Sequence, residues 1–450
     1  MALSFPGIGS GLDVNAIVDQ LVAMERRPIE LLETAKTKLT SQLSSMGLLQ
    51  SYMVNLQSAA GQLAKPDFWT KNTASSSDAT MVSVTARASA VPGSHSIEVT
   101  SLATSQSLSS AVIADPANVG TGTLTITLGG TPVQVAVDAG TSLAGLRDKI
   151  NAADAGVTAA IVQDGSGSRL TLTGKNTGAA NAVTVSVAGA TGDLASLTYP
   201  GGLTENRPAA DAQLKVNNLP LTSASNTLEN VIDGLDITLS KTTSGPVTVT
   251  VSHDATAMRK GINDFVAAYN AVNSYLNTQT KYDEGTKTAG TLQGDRTAVG
   301  LLNTLRGLAG QPSAASAVYG RLSDMGIAVQ RDGSLKVEDD AKLTTALANP
   351  AELSKAFATT DTGLAHGFKR MADAMLGVQG MLTTRSDGLR ASVKRNDRDQ
   401  DRLEDRVARI EERLLRQYQA LDAKMGVLNG LSSYVTQQMT MLNNQFNYDK

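Results

Sequence analysis

The chain of 450 residues has no cysteine, so neither disulfides nor thiol chemistry enter its fold or function. That suits a cytoplasmic protein, or one exported without passing through an oxidising compartment. Aromatics are scarce at 4%, with Trp69 the single tryptophan. Small aliphatic side chains and threonine must therefore fill the cores. No run approaches the roughly 18 apolar residues that a membrane span requires. Met1-Ala2-Leu3-Ser4-Phe5-Pro6 has neither a basic nor an apolar region of the kind a cleaved secretory signal needs. The net charge is only −3, so there is no global attraction to nucleic acid or to an anionic membrane. Neither is expected as a partner.

Arrangements that carry chemistry are also missing. The three histidines, His95, His253 and His366, lie far apart, and none has a second ligand at metal-binding spacing. Ser252-His253-Asp254 contains triad residue types, but as neighbours on a strand they point to opposite faces. Gly7-Ile8-Gly9-Ser10-Gly11 lacks phosphate-loop spacing and no strand precedes it, and Gly174-Lys175-Asn176 lacks the first glycine and the hydroxyl. Asp164-Gly165-Ser166-Gly167 reads as a turn. No enzyme, cofactor or metal is expected.

What is present is long helical periodicity at both ends. Val407, Leu414, Leu421, Leu428, Val435 and Leu442 recur every seventh residue, accompanied by Leu403, Ile410, Tyr418, Met425, Leu431 and Met439. One helix carrying this stripe from about 394 to 446 would be roughly 80 Å long and needs a partner. The other terminus offers one. A helix should start after Asp13 as N-cap, with Ile17, Leu21 and Met24 on one face. Pro28 should kink or restart it. Beyond, Leu32, Leu39, Met46 and Met53 fall seven apart, joined by Leu43, Leu49, Leu56 and Leu63. The two stripes can pair antiparallel or side by side, with everything between them inserted as a head.

From about 75 to 252 the character changes to alternating threonine and β-branched residues, as in Leu124-Thr125-Ile126-Thr127-Leu128 and Val247-Thr248-Val249-Thr250-Val251. This period of two predicts half-buried antiparallel strands. A helix from Ser142 to Ala153 interrupts them, giving a β-β-α-β-β unit. Tyr199-Pro200-Gly201-Gly202 reads as a linker. Asp254 then caps a helix with Met258, Ile262, Phe265, Tyr269, Val272 and Leu276 on one face. Further helices are expected at 297–308, 340–347 and 351–358, with a hairpin turning at Asp332-Gly333. Residues 390–416 hold nine basic and seven acidic side chains, a solvated helix face rather than a nucleic-acid patch. Past Arg416 the charge almost vanishes. Gly426 and Gly430 weaken that helix by about 1 kcal/mol each, so it is marginal alone and suited to ordering among other helices.

The expected fold class is α+β and multidomain: long terminal helices form a coiled-coil-like leg, and a β-rich head of two nested domains is inserted. The expected divisions are 1–44 with 410–450 as docking segments, 45–75 with 254–409 as the leg, 76–115 with 205–253 as the outer head, and 116–204 as the inner head.

Pro6-Gly7-Ile8-Gly9-Ser10-Gly11-Leu12-Asp13 and Pro92-Gly93-Ser94-His95-Ser96-Ile97-Glu98-Val99 resemble stretches of the axial proteins of the bacterial flagellum, and within them of the flagellar cap or hook-associated protein 2 family. Ser142 to Asn151 with Gly156-Val157-Thr158-Ala159 is similar to a repeat of cap and junction proteins. Ile262 to Asn270, Gly290 to Asp295, Met325-Gly326-Ile327 and Asp332-Gly333-Ser334-Leu335 look like the family's C-terminal module. The resemblance covers nearly the whole length and is weakest in the head.

It implies a homo-oligomeric ring, often a pentamer in the family, at the distal tip of the flagellar filament, outside the cell. The ring retains exported flagellin and promotes its folding and polymerisation. Hook–filament junction proteins and a cytoplasmic export chaperone are implied partners, and export by the flagellar type III route, without a cleaved signal, is the implied path. The expected interface is the helical seam: Leu32, Leu39, Leu43, Met46, Met53, Val407, Leu414, Leu421, Leu428, Val435 and Leu442. Two other readings remain at this stage, a β-headed adhesin for host glycans or mucin and a hook–filament junction protein. The C-terminal module from Ile262 onward disfavours the junction protein.

Overall fold

The structure is a computed structural model that describes residues 13–447 except 286, with side chains to 443. The chain divides into two compact units, a helical one of 1–66 with 259–450 and a β-rich one of 67–258. The fold is α+β and multidomain.

In the helical unit, Val14–Leu63 is one unbroken helix. Asp13 caps it, its carboxylate accepting from the Ala16 amide at 3.0 Å. The expected restart at Pro28 does not occur. Pro28 is exposed, so water can take the Met24 carbonyl that the imide nitrogen leaves unpaired. The partner helix, Met381–Asn447, starts thirteen residues earlier than expected and is likewise continuous. No break falls at 44/45 or 409/410, where the sequence divided docking segments from leg.

The two helices run antiparallel, as their bonds show. Gln50 meets Ser386 at 3.4 Å, Lys36 pairs with Asp397 at 2.8 Å, and Asn396 bonds the Leu32 carbonyl at 3.0 Å. Further along, Val14, Val18, Val22 and Ile29 form a core with Val407, flanked by Leu403, Leu414, Leu415 and Tyr418. The expected face of Ile17, Leu21 and Met24 is not the buried one, and Met24 is exposed. Both sets have helical spacing. The side on which the partner lies decides between them.

Around Met46 to Leu63 the pair becomes a bundle, joined by Ala255–Thr280 and Leu364–Leu376. Tyr275 donates its hydroxyl to the Ser45 carbonyl at 2.9 Å, and Gln57 donates to Asp373 at 2.5 Å. The face of Ile262, Phe265, Tyr269, Val272 and Leu276 is fully buried as expected.

The β unit has two cores. In the outer one, a five-stranded antiparallel sheet is ordered Asn72–Ser76, Val247–His253, Gly93–Ser101, Ala212–Val216, Leu219–Ser223. It shares its core with the sheet Thr227–Ile232, Leu235–Leu239, Val82–Ala86. Val247, Val249 and Val251 are buried while Thr248 and Thr250 are exposed, the alternation read from the sequence. The inner domain enters between two strands that are themselves neighbours, Gly93–Ser101 and Ala212–Val216. It therefore occupies the connection of a hairpin, where an insertion disturbs no sheet pairing.

In the inner core, Gly122–Leu128 lies between Thr131–Val137 and Val183–Ala188, and the helix Leu143–Ala152 packs its Leu143, Leu146 and Ile150 inward. The other inner sheet is ordered Thr204–Arg207, Ser107–Ser109, Ser168–Gly174, Val157–Gln163. So 107–115 and 205–207, assigned above to the outer head, pair or pack with the inner one. Residues 72–75, assigned to the leg, pair with Val247–His253 in the β unit. Tyr199 is no linker: its amide and carbonyl both bond Val185, at 2.8 and 3.0 Å.

Candidate functional site

The family-like motifs locate structural fastenings. Asn270 clamps Leu335 with both ends of its side chain, donating to its carbonyl and accepting from its amide, each at 2.7 Å. Tyr269 donates its hydroxyl to the Gly333 carbonyl at 2.9 Å, and burial pushes its pKa up to about 12. Asp332 holds the turn by accepting from the Ser334 amide and hydroxyl. Gly333 has φ +82°, a left-handed backbone that favours glycine, and a Cβ there would displace the Arg306 guanidinium from its place over the turn. Asp295 caps Arg296–Gly310 through the Thr297 and Ala298 amides, and its second oxygen takes Arg385 of the C-terminal helix at 2.8 Å. In the β unit, Asn151 makes the same two-way clamp on Ala159, at 2.9 and 2.8 Å.

The residues with conceivable chemistry are likewise fastened. His253 Nδ1 lies 2.9 Å from Asn72 Oδ1, while Asp254 caps the following helix by accepting from the Ala257 amide. His95 lies against Asn217 at 3.2 Å, and Lys175 pairs with Asp154. Arg169 and Ser166 hold the Asp164 turn, and their hydrogen bonds keep its carboxyl far below the usual range. Among the described residues no group of three or more His, Cys, Asp or Glu is placed to hold a metal, and no helix is long and apolar enough to cross a membrane.

What is left unsatisfied is apolar. The expected seam residues fall into three grades. Met46 and Met53 are fully buried, because the bundle covers them from several sides. Leu32, Leu39, Leu43 and Leu414 are half-buried, because one partner helix covers only one flank; Val407, in the middle of the small core, is buried. Leu421, Leu428, Val435 and Leu442 are 47 to 57% exposed. The antiparallel register explains the grading. Leu32 lies opposite Asn396 and the Val14 turn opposite the region of Leu414 and Tyr418. By Leu421 the described part of the N-terminal helix has ended.

The exposed face is wider than the sequence suggested. Val427, Tyr434 and Met441 form another series of seven, one residue ahead of Leu428, Val435 and Leu442, and all three are more than half exposed. Leu431 and Met439 flank them, at 58 and 65%. The series is present in the sequence but lies beside the main stripe. Lys424 and Asp449 bracket a stretch with no charged residue, so the polar side of this helix is neutral too. A solvated helix face ordinarily carries charges. This geometry can bury apolar surface on several neighbours at once.

Comparison with known proteins bears on which neighbours. Residues 209–430 match the profile of the flagellar hook-associated protein 2 C-terminus, 10–106 that of its N-terminus, and 123–176 the flagellin hook IN motif. The A-type flagellar hook-associated protein 2 of Pseudomonas aeruginosa is 35% identical, covering 97% of each chain. The flagellar hook-associated protein 2 of Escherichia coli K12 is 31% identical over 97% of this chain and 98% of its own. Among solved structures, the D1-D2-D3 domains of the flagellar cap protein FliD from Escherichia coli align with a TM-score of 0.61 at 32% identity, over 77% of this chain and 99% of that one.

Proposed function

The chain belongs to the flagellar hook-associated protein 2 family, and on that premise we propose that it caps the filament by lodging the exposed seam of its C-terminal helix among helices of the axial structure. It is a cap protein of the bacterial flagellum, located at the filament tip and acting there on flagellin assembly. The relatives favour the cap reading and not the adhesin one.

The observation that carries the docking reading is the continuity of the seam. The stripe that is buried at Val407 runs on, in register and about half exposed, through Leu421, Leu428, Val435 and Leu442. Fully burying one such side chain stabilises by ~1.5–3 kcal/mol. These are already about half covered, so each contributes roughly 1 kcal/mol on docking. Many contacts of that size can hold the cap while single ones break as subunits are added. The half-buried Leu32, Leu39, Leu43 and Leu414 extend the same surface, whereas Met46 and Met53 serve the bundle. The implied ring of copies, the junction-protein contacts, the export chaperone and the flagellar export route are parts of this proposal. The missing cysteine and the marginal, uncharged end of the C-terminal helix support them.

Leu421→Asp tests the docking surface. It should leave the β unit folded and abolish cap retention, so that monomeric flagellin leaks into the medium. Filaments of normal length on the variant would overturn the proposal.

A further inference from the structure

Asn429-Gly430 is the only Asn-Gly pair in the sequence, and it lies in the exposed part of the C-terminal helix. Packing does not call for the glycine, since a Cβ at Gly430 would meet nothing within 4 Å. We propose that this pair is a site of spontaneous deamidation, at which an undocked helix ages and is broken.

The chemistry needs only the chain and water. The Gly430 main-chain nitrogen attacks Asn429 Cγ, a C–N bond closes a five-membered imide, and ammonia leaves with the proton of the amide. Water then opens the imide at one of its two carbonyls, giving aspartate or isoaspartate. A side chain on the following residue hinders the attack, and glycine has none. Helical geometry also hinders it, because it holds the Gly430 N–H in the ladder and away from Cγ. The reaction therefore proceeds through local opening of the helix. Opening is easy here. Leu428, Leu431, Tyr434 and Val435 around the pair are all about half exposed or more, so tertiary packing adds little to the helix. Gly426 and Gly430 weaken it further relative to alanine.

The product is damaging at this position. A new carboxylate appears in a stretch that has no charge between Lys424 and Asp449. Isoaspartate also adds a main-chain methylene, which interrupts the i→i−4 ladder. Leu431, Val435 and Leu442 then lose their alignment with Leu421 and Leu428. If the seam docks as proposed above, docking closes the helix and protects the bond, a corollary that rests on that reading.

The test is to age the purified full-length chain at mildly alkaline pH and follow each asparagine by peptide mass mapping with isoaspartate quantification. No flagellin is present, so the outcome is independent of the docking proposal. Conversion at Asn429 should run ahead of every other asparagine, and Gly430→Ala should slow it by an order of magnitude or more. Conversion at Asn429 no faster than at Asn443, on the same exposed helix, would overturn the proposal. So would a rate unchanged in Gly430→Ala.

Discussion

Asn396 donates its side-chain amide to the main-chain carbonyl of Leu32 at 3.0 Å, across the interface of the two terminal helices. The Asn396 oxygen accepts in turn from Gln400 at 3.0 Å, and Asn396 is only 7% exposed. A satisfied polar group in an apolar seam fixes register at little cost, because any other alignment would bury it without its partners. Asn396→Leu should therefore leave thermal stability within about 1 kcal/mol of the parent while loosening the alignment. The cysteine-free sequence makes this measurable. The pair Lys36→Cys with Asp397→Cys, whose parent side chains meet at 2.8 Å, should be joined by a short bifunctional maleimide in the Asn396 background. In Asn396→Leu, pairs offset by one heptad should cross-link as well. A variant confined to the parent pair would show that register is set elsewhere.

The three grades of seam burial predict three sizes of effect in the free protein. Met46→Ala opens a cavity in a bundle and should cost about 2–5 kcal/mol. Leu32→Ala, at the half-buried two-helix stage, should cost about 1 kcal/mol. Leu428→Ala should fall within about 0.5 kcal/mol, as exposed substitutions do. Denaturant unfolding ranks the three. A large loss for Leu428→Ala would mean that something already covers the seam in the free chain.

Asp295 joins two parts of the helical unit, as cap of Arg296–Gly310 and as partner of Arg385. Asp295→Ala removes both and should cost about 2–3 kcal/mol. Asp295→Asn keeps an acceptor for the Thr297 and Ala298 amides and should recover about 1 kcal/mol. Equal losses in thermal melts would assign the whole effect to the ion pair.

The sequence was most informative where period and partner coincide. The heptads, the alternating strands and the side-chain caps at Asp13 and Asp254 are local signals, and the structure repeats them. What it withheld depends on distant contacts. Val14-Val18-Val22 and Ile17-Leu21-Met24 are equally helical, and only the position of the C-terminal helix selects the first. Ser107–Ser109 is too short to show alternation, and Thr204–Arg207 is exposed at every residue, so neither marks its sheet. In Leu364–Leu376, Leu364, Phe368, Met371 and Met375 keep helical spacing, but no side chain caps the start. The width of the exposed face escaped because Val427, Tyr434 and Met441 repeat beside the main series, and only their exposure reveals them as part of one surface.

Tyr269 gives a prediction in pH. It is fully buried, and its folded pKa of about 12 lies above the ordinary tyrosine value of 10.0. The native state thus holds the phenolic proton more tightly than the unfolded chain does. The resulting stability is fully present below about pH 10 and is lost as pH rises from there toward 12, by roughly 1.4 kcal/mol per unit. Tyr269→Phe should cost about 1 kcal/mol at neutral pH, since it removes the hydrogen bond to the Gly333 carbonyl. Above pH 10 its stability should decline less steeply than the parent's, so the gap narrows and then reverses near pH 11. All other groups are common to the two proteins and cancel in the difference. Urea midpoints of the two proteins from pH 7 to 11 decide the matter, and parallel curves would show that the phenol ionises as readily in the folded protein as in the unfolded one.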